Sequence, residues 1–273
     1  MSVREVRDAY GQAAAAWAAG PQRAYQRLSE ALVGAHPGSL TGAAVLDIGA
    51  GTGAASRVCT AAGARVVAVD AAVGMLAHDR RARPAAVAGD AYRLPFRAAS
   101  FDAVVAAFVF NHLDDPVAAL AEAARVTRPG GALLAATFHA DWEHSAKQQV
   151  EAAATEAGWR RPGWYDSLKT HSAPALGDPD RFAAAAAEAG WRAARMVDTV
   201  VDTGLSSADD LVAWRFGMAQ LAPFVDGLLE PARVRLHARA RQYVGDDPEP
   251  LRPRVLFCLA RLGAPVVAKA ALG

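Results

Sequence analysis

From residue 43 onward, short β-rich runs alternate with helical stretches, and this alternation constrains the fold more than any other feature of the chain. The runs are Val45–Ile48, Arg65–Val69, Ala85–Ala88, Ala103–Phe108 and Ala132–Phe138, with helices expected at about Ala54–Ala62, Gly74–Ala82 and Pro116–Val126. Strands this uniformly apolar need cover on both faces, and the spacing between them suits crossover helices; together these predict a parallel sheet with helices on each side. Right-handed crossovers then gather the loops at the strands' carboxyl ends along one rim, where ligands bind.

The first strand runs into "VLDIGAGTGAAS", residues 45–56. Gly49, Gly51 and Gly53 alternate with small residues before a helix, a loop whose backbone can approach a ligand closely because side chains are absent. It satisfies the dinucleotide pattern G-x-G-x-x-G/A, and Asp70 closes the second strand at the separation, about 20 residues, from which an acid reaches ribose hydroxyls. The loop alone leaves two ligands open: a dinucleotide, or a smaller nucleoside without phosphate. Asp47, inside the strand, tips the balance. A buried carboxylate must be neutralised by hydrogen bonds or a cation; here it can hold the loop's amides or receive a ligand's ammonium group, and it would oppose a pyrophosphate. Asp90 follows the third strand, placed to accept from an adenine amino group, and Arg128-Pro129-Gly130-Gly131 reads as a hard turn between helix and strand.

The remainder of the chain is expected to cover this rim. Residues 3–34 are helical with a break at Gly20-Pro21, and Val3, Val6, Tyr10, Ala14 and Trp17 share one face. Beyond Phe138 come a helix over 139–159, a loop over 160–179, a helix over 180–191 capped by Asp178 or Asp180, a sixth strand over 192–203, helices over 207–225 and 230–244, and a last strand over 252–262. The expected organisation is an N-terminal helical lid, 1–40, and an α/β domain, 41–273, with helical cap insertions at about 140–178 and 204–250.

The segments "VLDIGAGTG", "VVAVDAAVGML", "AGDAYRLPFRAASFDAVVAAFVFNHL" and "ARVTRPGGALLAATF" together resemble class I S-adenosylmethionine-dependent methyltransferases of the small-molecule type, similar to ubiquinone-biosynthesis and natural-product enzymes. The resemblance covers residues 45–138. It implies a Rossmann-like seven-stranded, mostly parallel sheet whose last strand is antiparallel, and S-adenosyl-L-methionine as cofactor. By the same resemblance Asp47, Gly49, Ala50 and Gly51 would surround the methionine part of the cofactor. Asp70 would hold the ribose diol, Ala71 and Met75 cover the adenine, Asp90 and Ala91 read its edge, and Ala107 and Phe108 line the sulfonium side. Tyr10 and Tyr25 match lid tyrosines that reach the cofactor's carboxylate, or else are aromatic core contacts of the lid.

A hydroxyl nucleophile needs a proton removed, which a positioned histidine can do. His112, after the fourth strand, and His139, after the fifth, are the candidates, with Asp141 near enough to orient one of them; His36, His78, His144, His171 and His237 are expected at the surface. Asp102 reads as structural and Asp114-Asp115 as a helix cap before Pro116. No spacing suggests a metal site. Trp142, Trp159, Trp164, Tyr165, Trp214, Phe216, Met218 and Phe224 concentrate in the cap segments and are expected to supply a mostly apolar acceptor pocket, with Arg215 either binding an acidic group or facing solvent.

Net charge near +1 gives no electrostatic reason for nucleic acid or an anionic membrane as partner, and no apolar run reaches membrane-spanning length. Cys59 and Cys258 read as core residues of a reduced, cytoplasmic protein. The expected partner is a small aromatic or apolar acceptor; a homodimer through the lid helices is compatible with the pattern. The expected activity is methyl transfer to an O, N or C nucleophile of that molecule. The alternatives are a cofactor-binding cyclase or regulator that transfers no methyl group, a nicotinamide oxidoreductase, which would leave Asp47 and the Arg-Pro-Gly-Gly turn without a reason, and a nucleic-acid or protein methyltransferase, which the neutral charge disfavours.

Overall fold

A computed structural model describes residues 3–263 of the chain; the last ten residues of the expected α/β domain and the side chain of Val3 lie outside what is described. Three N-terminal helices, α1 (Val3–Gln12), α2 (Ala14–Ala19) and α3 (Pro21–Gly34), lead into the alternating region. There β1 (Ala44–Ile48), α4 (Ala54–Ala61), β2 (Arg65–Asp70), α5 (Val73–Ala77), β3 (Ala85–Ala88), β4 (Phe101–Ala107), α6 (Pro116–Val126) and β5 (Thr127–Phe138) follow in order. The C-terminal half comprises α7 (Ser145–Glu156), α8 (Gly163–Ser167), α9 (Ala173–Ala175), α10 (Pro179–Glu188), β6 (Trp191–Val200), α11 (Ala208–Phe216), α12 (Ala222–Asp226), α13 (Glu230–Val244) and β7 (Arg254–Leu262).

The seven strands form one sheet in the order β3-β2-β1-β4-β5-β7-β6. The pairs among β1 to β5 are parallel, and β7 inserts antiparallel between β5 and β6. Strand order reverses between β1 and β4, so a crevice opens beyond their carboxyl ends, where ligands of open α/β sheets bind. Alternate residues feed the two faces, as the strand period requires. Leu46, Ile48, Val104, Ala106, Leu133 and Cys258 pack with Leu120, Phe182 and Trp191 on one side. Val45, Val105, Leu134 and Phe257 pack with Leu28, Leu32 and Cys59 on the other. Both cysteines are free and buried in these cores. A third core joins α7, α11 and α13 through Trp159, Leu211, Trp214, Phe216 and Leu236. Among the described residues no helix is long and apolar enough to cross a membrane.

Several boundaries differ from expectation, each for a local reason. The helix expected over 74–82 stops at Ala77, where His78 turns extended (φ −66°, ψ 129°). Arg128-Pro129-Gly130-Gly131 lies within β5 instead of before it. Phe101 pairs with Thr127 but Ala103 with Ala132, so the extra residues bulge out through Gly130 at φ +78°. The loop expected at 160–179 contains α8, α9 and a π-helical turn over Leu168–Ser172. The helix expected from 139 begins at Ser145, with His144 as its cap. The helix expected over 207–225 breaks into α11 and α12 at Gly217, where an added Cβ would collide with Ala16 O and Pro21 of the N-terminal helices.

Candidate active site

The glycine loop leaves β1 with Gly49, Gly51 and Gly53 all at positive φ (+66°, +53° and +94°), a path that residues with a Cβ rarely follow. Each glycine has its own reason. At Gly49 a Cβ would strike Val109, whereas at Gly51 it would meet no protein atom within 4 Å and would project into a cavity at the rim. Gly53 occupies the left-handed N-cap of α4.

The loop's amides are held by β2. Gly49 N and Ala50 N donate to Val69 O at 2.8 and 3.1 Å, and Gly51 N donates to Asp70 Oδ2 at 2.8 Å. The other Asp70 oxygen accepts from Ala72 N at 2.7 Å. Each carboxylate oxygen keeps a lone pair, so Asp70 can staple the loop and still accept from a ligand's vicinal hydroxyls. Burial raises its pKa, and the two amide hydrogen bonds offset part of that rise.

Asp47 does not hold the loop's amides, which the sequence left as one of its two roles. It is 1% exposed, and its carboxylate accepts from the Ser56 hydroxyl, the first-turn residue of α4 directly above it, at 2.6 Å. Burial drives its pKa up to about 7, against the pull of Ser56. A cation brought to this carboxylate would relieve a strained charge.

The cavity gathers both tyrosines of the N-terminal helices, Tyr10 and Tyr25, with Asp47, Gly49, Ala50 and Gly51 of the first loop. Asp70, Ala71 and Met75 form a second side, Asp90 and Ala91 a third, and Ala107 and Phe108 the end of β4. Phe108 holds φ +61°, turning the chain sharply off the strand. His112 also lines the cavity; its ring meets Tyr10 edge-on at 5.7 Å between centroids, and its Nδ1 is buried without a partner among the described residues. Burial lowers its pKa to about 4, so the imidazole is neutral at neutral pH. His139 is not brought into the cavity. Its Nδ1 accepts from Asp141 N at 3.1 Å, and Asp198 lies beside Nε2 at 4.0 Å, so Asp141 orients His139 and not His112.

Other expectations sort by packing. Asp115 caps α6 by accepting from Ala118 N, Asp178 caps α10 by accepting from Arg181 N, and Asp102 accepts from Ala44 N and pairs with Arg128. His144, expected at the surface, is buried instead, accepting from Ala146 N at 3.2 Å with Nε2 3.1 Å from Glu249 O. His171 and His237 are exposed or partly so, and His36 and His78 half-buried. Arg215 is neither free nor in solvent: it is 2% exposed and paired with Glu151, whose other oxygen accepts from Arg161 at 2.6 Å.

None of the eight cap aromatics and methionines expected to line an acceptor pocket lines this cavity. Trp214 and Phe216 fill the α7–α11–α13 core, Trp142 stacks on Phe138 at 5.1 Å, and Met218 packs against the cluster of Ala14, Trp17, Ala72 and Met75. The physical reason is that α1 and α2 cross the rim first, so Tyr10 and Trp17 take the places assigned to the cap.

Sequence reasoning missed Arg83, whose Nη1 donates to Gly51 O, Met75 O and Leu76 O at 3.1–3.2 Å and so ties the glycine loop to α5. No local signal marks it, because its partners are backbone carbonyls, which every residue carries, and the glycine loop that it reaches lies 32 residues earlier. It also missed Trp17, 4.8 Å from Tyr25 between ring centroids; its place on the apolar face with Tyr10 was the available clue.

Residues 46–135 match the family model described as "Methyltransferase domain". Over 121 residues the chain is 46% identical to a demethylmenaquinone methyltransferase of Renibacterium salmoninarum, a match covering 44% of this chain and 49% of that protein. Another demethylmenaquinone methyltransferase, of Mycobacterium sp. (strain KMS), is 45% identical over 119 residues, covering 44% of this chain and 50% of its own. The chain therefore spans about half the length of these curated relatives. Among solved structures, Haemonchus contortus phosphoethanolamine N-methyltransferase 2, in complex with S-adenosyl-L-methionine, superposes with a TM-score of 0.54 at 22% identity, over 86% of this chain and 52% of that one. The [4+2]-cyclase SpnF superposes with a TM-score of 0.54 at 20% identity, over 88% and 82% of the two chains. The chain has the class I methyltransferase fold, and its residues 46–135 match a methyltransferase domain.

Proposed function

We propose that the protein is an S-adenosylmethionine-dependent methyltransferase acting on a small, largely apolar acceptor of quinol type. The observation that carries the reading is the cavity at the β1/β4 switch point, where one acid (Asp70) staples the loop and a second (Asp47) is buried behind it. The donor set fits this cofactor. Asp70 offers free lone pairs to a ribose diol, Asp47 suits an ammonium group, and the Gly51 cradle is open where a Cβ would intrude. A pyrophosphate would instead meet two carboxylates.

When bound, S-adenosylmethionine supplies a methyl group activated by a sulfonium. The chain's task is then to align the acceptor and keep water out, worth on the order of several kcal/mol of pre-organisation. Phe108, Val109, Tyr10 and Trp17 enclose that end of the cavity with rings and branched carbons. His112, neutral, presents its unpartnered Nδ1 to the acceptor's hydroxyl and takes up or relays its proton. With its pKa lowered to about 4 it is too weak a base to hold a phenol or quinol proton beforehand, so it holds the hydroxyl by a hydrogen bond and takes the proton only as methyl transfer makes it strongly acidic. His139 does not line the cavity and is not assigned this task. The N-terminal helices act as the lid and α7–α9 with α11–α13 as the cap.

The test is titration calorimetry of the whole chain with S-adenosylmethionine and separately with NADH, followed by mass spectrometry of reduced demethylmenaquinone incubated with enzyme and cofactor. Micromolar binding of S-adenosylmethionine alone is expected, with a product heavier than the acceptor by the mass of one methylene. Binding without transfer to any quinol would favour the non-methylating alternative, and NADH binding alone would refute the reading.

A further inference from the structure

A second concavity lies on the outer side of α1, back to back with the cavity. Val6, Arg7 and Tyr10 turn inward from α1, whereas Glu5, Asp8, Ala9 and Gln12 line the outer groove. The groove's other wall holds three of the aromatics that the sequence assigned to an acceptor pocket: Trp159, Trp164 and Phe224. Gln220 lies among them, 4% exposed. Its backbone oxygen accepts from Trp159 Nε1 at 3.0 Å, but its side-chain Nε2 donates to nothing among the described residues. An amide donor buried without a partner is costly, and a ligand oxygen in the groove would remove that cost.

The two concavities are separated by a short row of rings. Trp164 stands 6.5 Å from Tyr10, and Tyr10 stands 5.7 Å from His112. A rotation of Tyr10 and Trp164 would therefore join the groove to the end of the cavity that holds His112. The charge around the groove argues about its occupant. Asp8 is paired with Arg4 and Arg7, and the lining carries the cation Arg160 as well as Glu5, so the groove has no excess charge of either sign and suits a neutral occupant.

We propose that this outer groove seats the non-reacting body of the methyl acceptor, a neutral planar ring system whose carbonyl oxygen accepts from Gln220. The proposal rests on the methyltransferase reading of the cavity and adds where the acceptor sits. It also gives three of the eight cap residues, Trp159, Trp164 and Phe224, a place against the acceptor on the other side of α1.

The test uses the full chain labelled with 5-fluorotryptophan, its six tryptophans assigned by single Trp→Phe variants, and saturated with S-adenosylhomocysteine. The probe is 2,3-dimethyl-1,4-naphthoquinone, whose blocked ring cannot alkylate thiols. Expected are fluorine shifts at Trp159 and Trp164 and none at Trp191, which is fully buried between sheet and α6. Gln220→Leu should weaken the quinone about tenfold, in line with loss of one hydrogen bond, with affinity for S-adenosylhomocysteine unchanged. Shifts confined to Trp17, no shifts at millimolar probe, or equal affinity in Gln220→Leu would overturn the groove assignment. Failure of S-adenosylhomocysteine to bind would overturn the cofactor reading itself, which calorimetry on the unlabelled chain separates from the other outcomes.

Discussion

Replacing Asp47 by asparagine keeps the shape and the acceptor oxygen for Ser56 while removing the charge. Burial raises the Asp47 pKa from 3.8 to about 7, so the folded chain binds more protons here than the unfolded chain between those values. The stabilisation from this uptake is complete below pH 3.8 and is lost as pH rises to 7. At about 1.4 kcal/mol per pKa unit, ionised Asp47 costs the folded state about 4 kcal/mol above pH 7. An asparagine at this position does not titrate. Relative to wild type, Asp47→Asn should therefore gain about 1.6 kcal/mol at pH 5 and about 4 kcal/mol at pH 8, apart from a constant offset for burying the extra amide N–H groups. The assay is urea denaturation of both proteins without ligand at pH 5 and pH 8. The quantity read is the change in their stability difference, expected at about 2.5 kcal/mol, which cancels the offset. A difference that stays the same at both pH values would refute the reasoning, because it would mean that Asp47 ionises normally. The same variant should bind S-adenosylmethionine more weakly, since the ammonium then has no charge to relieve. Stability and affinity are thus expected to move in opposite directions.

Three further perturbations follow from the packing. Glu151→Ala leaves Arg215 buried without its counter-ion, and equilibrium denaturation should show a loss of about 3–5 kcal/mol; Arg215→Met should cost less. At Gly74, a Cβ would collide with the Gly11 backbone where α1 crosses α5. Gly74→Ala should speed hydrogen exchange of α1 amides and raise the dissociation rate of S-adenosylhomocysteine, with exchange in the β1–β4–β5 sheet unchanged. Because His112 protonates only near pH 4, the kcat/KM profile of the enzyme should show no break near the ordinary histidine value of about 6.5 from this residue; a break there that His112→Asn abolishes would contradict its burial.

The site illustrates two uses of carboxylates in one small volume. Asp70 is anchored by two amides and still has accepting capacity, so it is rigid and serviceable. Asp47 is held by Ser56 and favoured at a distance by Arg83, and burial still leaves its negative charge undercompensated, which a cation can relieve. Arg83 completes the frame by tying three carbonyls of the loop and α5 together, leaving its Nε and Nη2 buried without partners among the described residues.

Most elements of the stretch 45–138 were legible because their instructions are local; the early end of α5 and the inclusion of residues 128–131 in β5 were not. Short, uniformly apolar runs give strands buried on both faces, glycines at φ above zero give the loop, and Asp115-Pro116 caps and starts a helix. The ligand rim at the strands' carboxyl ends and the two acids beside it follow from that segment with the handedness of crossovers, whereas the strand order that opens the crevice between β1 and β4 was decided by the tertiary structure. What depends on contacts across the chain was not legible. The side of α1 that the cap aromatics occupy, the burial of His144 and Arg215, and the role of Arg83 all depend on partners brought close by folding. Even the choice between His112 and His139 was tertiary. Both follow strands at the same rim, but the turn at Phe108 sends the first into the cavity, while Arg254 O fixes the backbone of the second against the neighbouring strand. Sequence carries torsional preference and period; the location of a side chain in three dimensions is set by which surfaces exclude water together.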